Sequence, residues 1–121
     1  MFPVSSSSRL FLYTAPADMR KSFDGLSGLV CTQMKADPLS GDVYLFINRR
    51  RDRVKILFWD RSGLALYYKR LEEGTFMLPD GSEPSVEITS AELSLILEGI
   101  DLSQAQRRKR FALPSSMSVC G

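Results

Sequence analysis

Three consecutive arginines, Arg49-Arg50-Arg51, open a stretch that holds eight of the sixteen basic residues of this 121-residue chain. The other five are Arg53, Lys55, Arg61, Lys69 and Arg70, and only Asp52 and Asp60 oppose them, so Arg49–Arg70 carries +6. Aromatic residues are interleaved with the charges: Phe58, Trp59, Tyr67 and Tyr68. A second basic run, Arg107-Arg108-Lys109-Arg110, adds +4 to a chain whose total is +2, which leaves −8 for the remainder. The charge is therefore polarised rather than spread. Cationic side chains neutralise phosphates and flat rings pack on bases, so the pattern is the footprint of a nucleic-acid or polyanion binder. The candidate phosphate contacts are Arg49, Arg50, Arg51, Arg53, Lys55 and Lys69, with Trp59 and Tyr67 packing beside them. The run Arg107, Arg108, Lys109, Arg110 would add non-specific affinity. Neutralising about four to six phosphates would give log K a slope of roughly −4 to −5 against log salt.

Other chemistries have thin support. The chain has no histidine, which removes the usual general base and the Ser-His-Asp and Cys-His arrangements. The fourteen acidic residues show no spaced triad for two-metal phosphoryl transfer, so a metal-dependent nuclease is the lesser reading. Cys31 and Cys120 form no CxxC pair; Cys31 is expected to be a small core residue. Neither a metal nor a cofactor is expected. Asp18 and Asp24 can be read as metal carboxylates, and the helix start beside them as an anion site. The plainer reading makes Asp18 a helix cap and Arg20–Asp24 an i,i+4 pair.

The elements that must position these groups follow from periodicity. Arg9–Thr14 reads as a short strand, broken by Ala15-Pro16. Met19, Phe23, Leu26, Val30 and Met34 recur at helical spacing, predicting a helix from an Asp18 cap to about Ala36. Its glycines, Gly25 and Gly28, suggest close packing against a sheet. After the turn Asp37–Asp42, three strands are expected at about Val43–Asn48, Arg53–Trp59 and Leu64–Arg70, joined as antiparallel hairpins. Gly63 suits the left-handed position of the second loop. Further on, Thr75–Pro79 reads as extended and Ser85–Ile88 as a short strand. Thr89-Ser90-Ala91-Glu92 is a capping box with Ile88 and Leu93 as its staple, opening a helix to about Glu98.

Alternation gives the three strands two faces. Val43, Leu45, Ile47, Val54, Ile56, Phe58, Leu64, Leu66 and Tyr68 form an apolar face, which the first helix is expected to cover. Tyr44, Phe46, Asn48, Arg53, Lys55, Leu57, Trp59, Ala65, Tyr67 and Lys69 form an aromatic and basic face. That second face reads either as covered by the second helix or a dimer partner, or as the nucleic-acid surface. The Arg49–Arg51 tip reads either as a DNA contact or as a charged turn that discourages aggregation.

Several segments in order resemble one family. They are Asp18-Met19-Arg20-Lys21-Ser22-Phe23-Asp24-Gly25-Leu26, Asp37-Pro38-Leu39-Ser40-Gly41, Val43–Phe46 through Lys55–Asp60, and Gly63-Leu64 through Tyr68–Gly74. Over residues 9–102 the chain resembles the TnpB-type accessory proteins of the insertion-sequence sixty-six group of bacterial transposable elements; Ser22 stands where glycine is more usual. The resemblance implies a part in DNA transposition beside a larger transposase that holds the catalytic carboxylates. It carries over no catalytic residue.

These readings combine into a set of expectations. The fold is α+β: a central antiparallel sheet of three to five strands, one longer N-terminal helix and a short C-terminal helix. Residues 1–8 are a flexible start, 9–102 one domain and 103–121 a basic, mobile tail. No apolar run is long enough to span a bilayer and no signal peptide is visible, so the cytoplasm is the expected compartment. The expected partners are DNA and the transposase, with self-association possible through the aromatic face. The leading function is non-catalytic DNA binding in a transposition complex. The alternative is a protein-interaction module that docks on the transposase or on itself without touching DNA.

Overall fold

A computed structural model of the protein describes residues 7–79 and 81–98. Its elements run β1 (Leu10–Tyr13), α1 (Phe23–Thr32), β2 (Val43–Ile47), β3 (Arg53–Asp60), β4 (Gly63–Arg70), β5 (Ser85–Ile88) and α2 (Ser90–Glu98). The five strands form one sheet in the order β4-β3-β2-β1-β5. The expected basic tail, Arg107–Arg110 included, lies outside the described residues, as do residues 1–6.

The sheet is mixed, which corrects the expectation of an antiparallel one. β1 pairs with β2 in parallel, Leu10 opposite Val43 and Leu12 opposite Leu45, whereas the other three pairings are antiparallel. The cause is the connection. Between β1 and β2 the chain travels through α1, and a long crossover returns it to the end where it started, which makes the two strands parallel. The strand–helix–strand order was visible in the sequence and carried this signal.

The long N-terminal helix is also corrected: α1 has ten residues and α2 has nine. Residues 19–22 stay outside α1: the Met19 and Lys21 carbonyls are engaged elsewhere, as shown below, and the Ser22 carbonyl accepts the first helical bond, from the Leu26 amide at 2.8 Å. Asp18 does not cap the helix; its carboxylate accepts the Arg20 amide at 2.9 Å and so closes a local turn. At the other end Lys35 adopts φ +56, and the Ala36 amide reaches back to the Val30 carbonyl at 3.0 Å. The bond joins residues six apart, and the left-handed turn that permits it is made by a lysine rather than a glycine. Cys31, expected in the core, is exposed. Of the helix glycines, only Gly25 is crowded, and its neighbour is the Lys21 side chain rather than the sheet.

Each face of the sheet is covered. Leu12, Val43, Leu45, Ile47, Val54, Ile56 and Phe58 pack under α2 residues Leu93, Ile96 and Leu97 and under Phe76. Tyr44, Phe46 and Leu57 pack under α1 residues Leu26 and Val30 and under Met34. The helices therefore cover the faces opposite to those expected. The aromatic face is interior, with Tyr44 at 1% and Phe46 at 0% exposure, so it is no surface for self-association.

Strand β4 is also turned over relative to expectation. Asp60 pairs with Gly63 around Arg61-Ser62, so each odd position of β3 opposes an even position of β4. Leu64 and Leu66 therefore join the α1 face, while Ala65 and Tyr67 join the α2 face. A shift of one residue inverts a whole strand. The left-handed residue of this loop is Arg61, φ +58, and not Gly63.

Candidate nucleic-acid interface

The loop between β2 and β3 is built around Asn48. Its backbone amide donates to the Arg53 carbonyl at 3.2 Å and its carbonyl accepts the Arg51 amide at 3.0 Å. Its side-chain oxygen accepts the amides of Asp52 and Arg53, both at 3.0 Å, and its side-chain nitrogen donates to the Asp52 carboxylate at 2.7 Å. Arg51 takes φ +61 to close the turn. The following chain braces the loop from outside: the Phe76 amide donates to the Arg51 carbonyl at 2.7 Å and the Leu71 amide to the Asp52 carbonyl at 2.8 Å. Asp52 titrates below the usual carboxylate range, chiefly because of the Asn48 hydrogen bond and then the charges of Arg50 and Arg53.

Arg49, Arg50 and Arg51 are exposed on this fixed tip. Their guanidinium groups make no ion pair with any described residue; the ion pairs found are Arg9–Glu87, Arg20–Asp18 and Arg70–Glu72. Arg53 is half-buried and its Nη1 lies 3.3 Å from the Tyr68 hydroxyl.

Beside the tip is a cleft of about 450 Å³. One wall is Pro16–Met19, the segment that follows β1; the other is Asn48, Arg49 and Arg50 with Asp52 and Arg53. The first wall is anchored where the buried Ala17 donates its amide to the Ile47 carbonyl at 2.9 Å. Asp18 is held by the Arg20 guanidinium at 2.8 Å, and the Arg20 hydrogen bonds bring its carboxyl down to about 2. The expected Arg20–Asp24 pair is thus replaced by Arg20–Asp18. Sequence reasoning reaches Asp18, as a metal carboxylate or beside an anion site, but does not reach Asn48, Pro16 or Ala17 as site residues. An asparagine heading a short hairpin loop, with an acidic residue four positions on, was the available signal.

Lys55 has a different task. It is buried at 7% exposure, and its ammonium donates to the carbonyls of Met19 at 2.8 Å and Lys21 at 2.7 Å. The Tyr68 ring lies 4.8 Å from the same nitrogen. A buried ammonium must find such partners, because its desolvation is costly. The Met19 carbonyl would otherwise accept the Phe23 amide in a longer helix, so Lys55 sets where α1 can begin.

The remaining candidates disperse. Lys69 donates to the Leu97 carbonyl at 2.6 Å, supplying a cation to the end of α2, whose last turn has no basic residue. Tyr67 packs on the α2 side of the sheet. Trp59, half-buried, occupies the far end of β3 opposite Leu64. The structure thus gathers Arg49, Arg50, Arg51 and Arg53 at one end, and does not bring Lys55, Lys69, Trp59 or Tyr67 to that surface. Among the described residues, no group of three or more Cys, Asp or Glu is placed to hold a metal ion, and no helix is long and apolar enough to cross a membrane.

Comparison with known proteins adds context to this geometry. A family model described as IS66 Orf2 like protein matches residues 8–107. The chain is 34% identical over 108 residues to the uncharacterized protein y4jC of Sinorhizobium fredii, spanning 89% of this chain and 92% of that one. It is 33% identical over 110 residues to the uncharacterized protein y4hO of the same organism, spanning 91% and 96%. No solved structure matches.

Proposed function

The chain belongs to the IS66 Orf2-like family, and we propose that it acts in DNA transposition as a non-catalytic accessory protein that binds DNA through the Arg49–Arg51 hairpin tip. The family brings the accessory role in transposition. The DNA contact rests on one observation: three adjacent guanidiniums, free of ion pairs with the described residues, on a backbone fixed by Asn48, Phe76 and Leu71. Fixing the tip in advance lowers the ordering cost of binding. Arginine also suits phosphate, since its planar fork can donate two hydrogen bonds to one group.

The contact set is smaller than the sequence implied, because Lys55 and Lys69 are committed to carbonyls. Arg49, Arg50, Arg51 and Arg53 remain. Four neutralised phosphates give log K a slope of roughly −3 to −4 against log salt. Fluorescence anisotropy with element-end and random duplexes across a salt series measures this slope. Tight, salt-sensitive binding is expected; affinity that ignores salt, or no binding at low salt, overturns the proposal. The ratio between the duplexes reports whether sequence is read.

A second reading, docking on the element's transposase, is favoured by β4. Among the described residues this strand pairs with β3 alone, and it leaves Tyr68 at 49% exposure. Co-purification with the transposase in the absence of DNA tests it.

A further inference from the structure

We propose that the cleft beside the arginine tip receives one unpaired nucleotide, its phosphate on Arg49, Arg50 or Arg53 and its base against Pro16 and Met19. The inference rests on the DNA-binding reading above and states which form of DNA the site engages. At about 450 Å³ the cleft is far larger than a phosphate needs, and within the range of pockets that hold ligands the size of a nucleotide. A duplex offers such a cleft only backbone phosphates at its mouth, because its bases are stacked inside the helix. An unpaired nucleotide can place its base within.

The two walls differ as the two ends of a nucleotide differ. Pro16, Ala17 and Met19 are apolar, and Arg49, Arg50 and Arg53 are cationic. The two carboxylates in the lining are both partnered, Asp18 by the Arg20 guanidinium and Asp52 by the Asn48 amide, which lessens their repulsion of a phosphate. The backbone of neither wall needs to be ordered on binding. The Ala17–Ile47 hydrogen bond and the Lys55 contact with the Met19 carbonyl hold the first, and Asn48 holds the second. The cleft has no aromatic lining, so the base contact is packing against proline and methionine rather than ring stacking.

The test is an NMR titration of the ¹⁵N-labelled full chain with dTMP, with thymidine and with inorganic phosphate. Saturable shifts are expected at the amides of Ala17, Met19, Arg50 and Arg53 with dTMP. Inorganic phosphate should bind at least about tenfold more weakly, and Met19→Ala should weaken dTMP while leaving phosphate unchanged. Equal affinity for phosphate and dTMP overturns the proposal by reducing the cleft to an anion site, and so does an absence of shifts with dTMP. If duplex binding depends on the arginine tip while dTMP moves no cleft amide, the DNA-binding function stands and the cleft proposal falls. If dTMP fills the cleft and no duplex binds, the reverse holds.

Discussion

The hairpin tip at Arg49–Arg51 and the middle of the next strand at Lys55 carry the same sign of charge a few residues apart, in opposite circumstances. The arginines are exposed and make no ion pair with a described residue; the lysine is buried, with two carbonyls and a ring around its nitrogen. A basic residue in a sequence is thus a candidate contact only until its partners are counted. Backbone carbonyls can accept a lysine's hydrogen bonds in place of a phosphate, and they are always within the chain's own supply. The tip escapes this fate: on the short loop closed by Asn48 its arginines are exposed, and none of their guanidinium groups is hydrogen-bonded to a described carbonyl.

Four changes would break or sharpen this contrast. The largest effect is expected from Lys55→Met, which keeps the bulk and removes the ammonium. Two carbonyls lose their donor, and stability should fall by about 2–4 kcal/mol in urea unfolding. The salt slope of DNA binding by the folded variant should not change; a shallower slope would place Lys55 in the interface after all. Next is the Arg49/Arg50/Arg51→Ala triple variant, in which the salt slope should drop by about 2–3 with little change in Tm. An unaltered slope would remove the tip from the interface.

A smaller effect is expected for Lys69→Met, which unties β4 from the end of α2. It should cost about 1 kcal/mol in thermal unfolding and leave DNA affinity untouched. Smallest is the pH dependence of Asp18. Its folded-state value of about 2 lies below the ordinary carboxylate value. Its contribution to stability is therefore present above that ordinary value and lost as pH falls through about 2. Solvent screening of this surface pair keeps the effect small, so the measurement is an NMR titration of the Asp18 carboxyl. A midpoint near the ordinary value would mean that the Arg20 contact does not persist in solution.

Sequence-based reasoning succeeded where the signals were local. The two hairpins lie where expected to within a residue or so. The capping box is reciprocal: Thr89 donates its amide to the Glu92 carboxylate at 2.8 Å, and Thr89 Oγ1 accepts the Glu92 amide at 3.1 Å. The errors came from long-range terms. The start of α1 depends on a lysine 34 residues away from the carbonyl of Lys21. The face of β4 depends on one residue of hairpin register. Which helix covers which face depends on the crossover from β1 to β2. The same holds at the site: the arginines of the tip were legible as a run, whereas the wall they face comes from Pro16–Met19, brought in by an amide bonded to Ile47.

The position of β1 has a consequence for the order in which the molecule can be completed. This first strand is not at an edge; it lies between β2 and β5. Its bridge from Arg9 to Glu87 joins residues 78 apart in the sequence. A chain emerging from the ribosome can close β2, β3 and β4 as successive hairpins while they are being made. One side of β1 nevertheless stays open until nearly all of the described chain has been synthesised. Until then a strand edge is available to any neighbouring chain, which is the usual route to misassembly. The slow step of folding is thus expected to be the closing of β5 on β1, because that contact spans the longest loop.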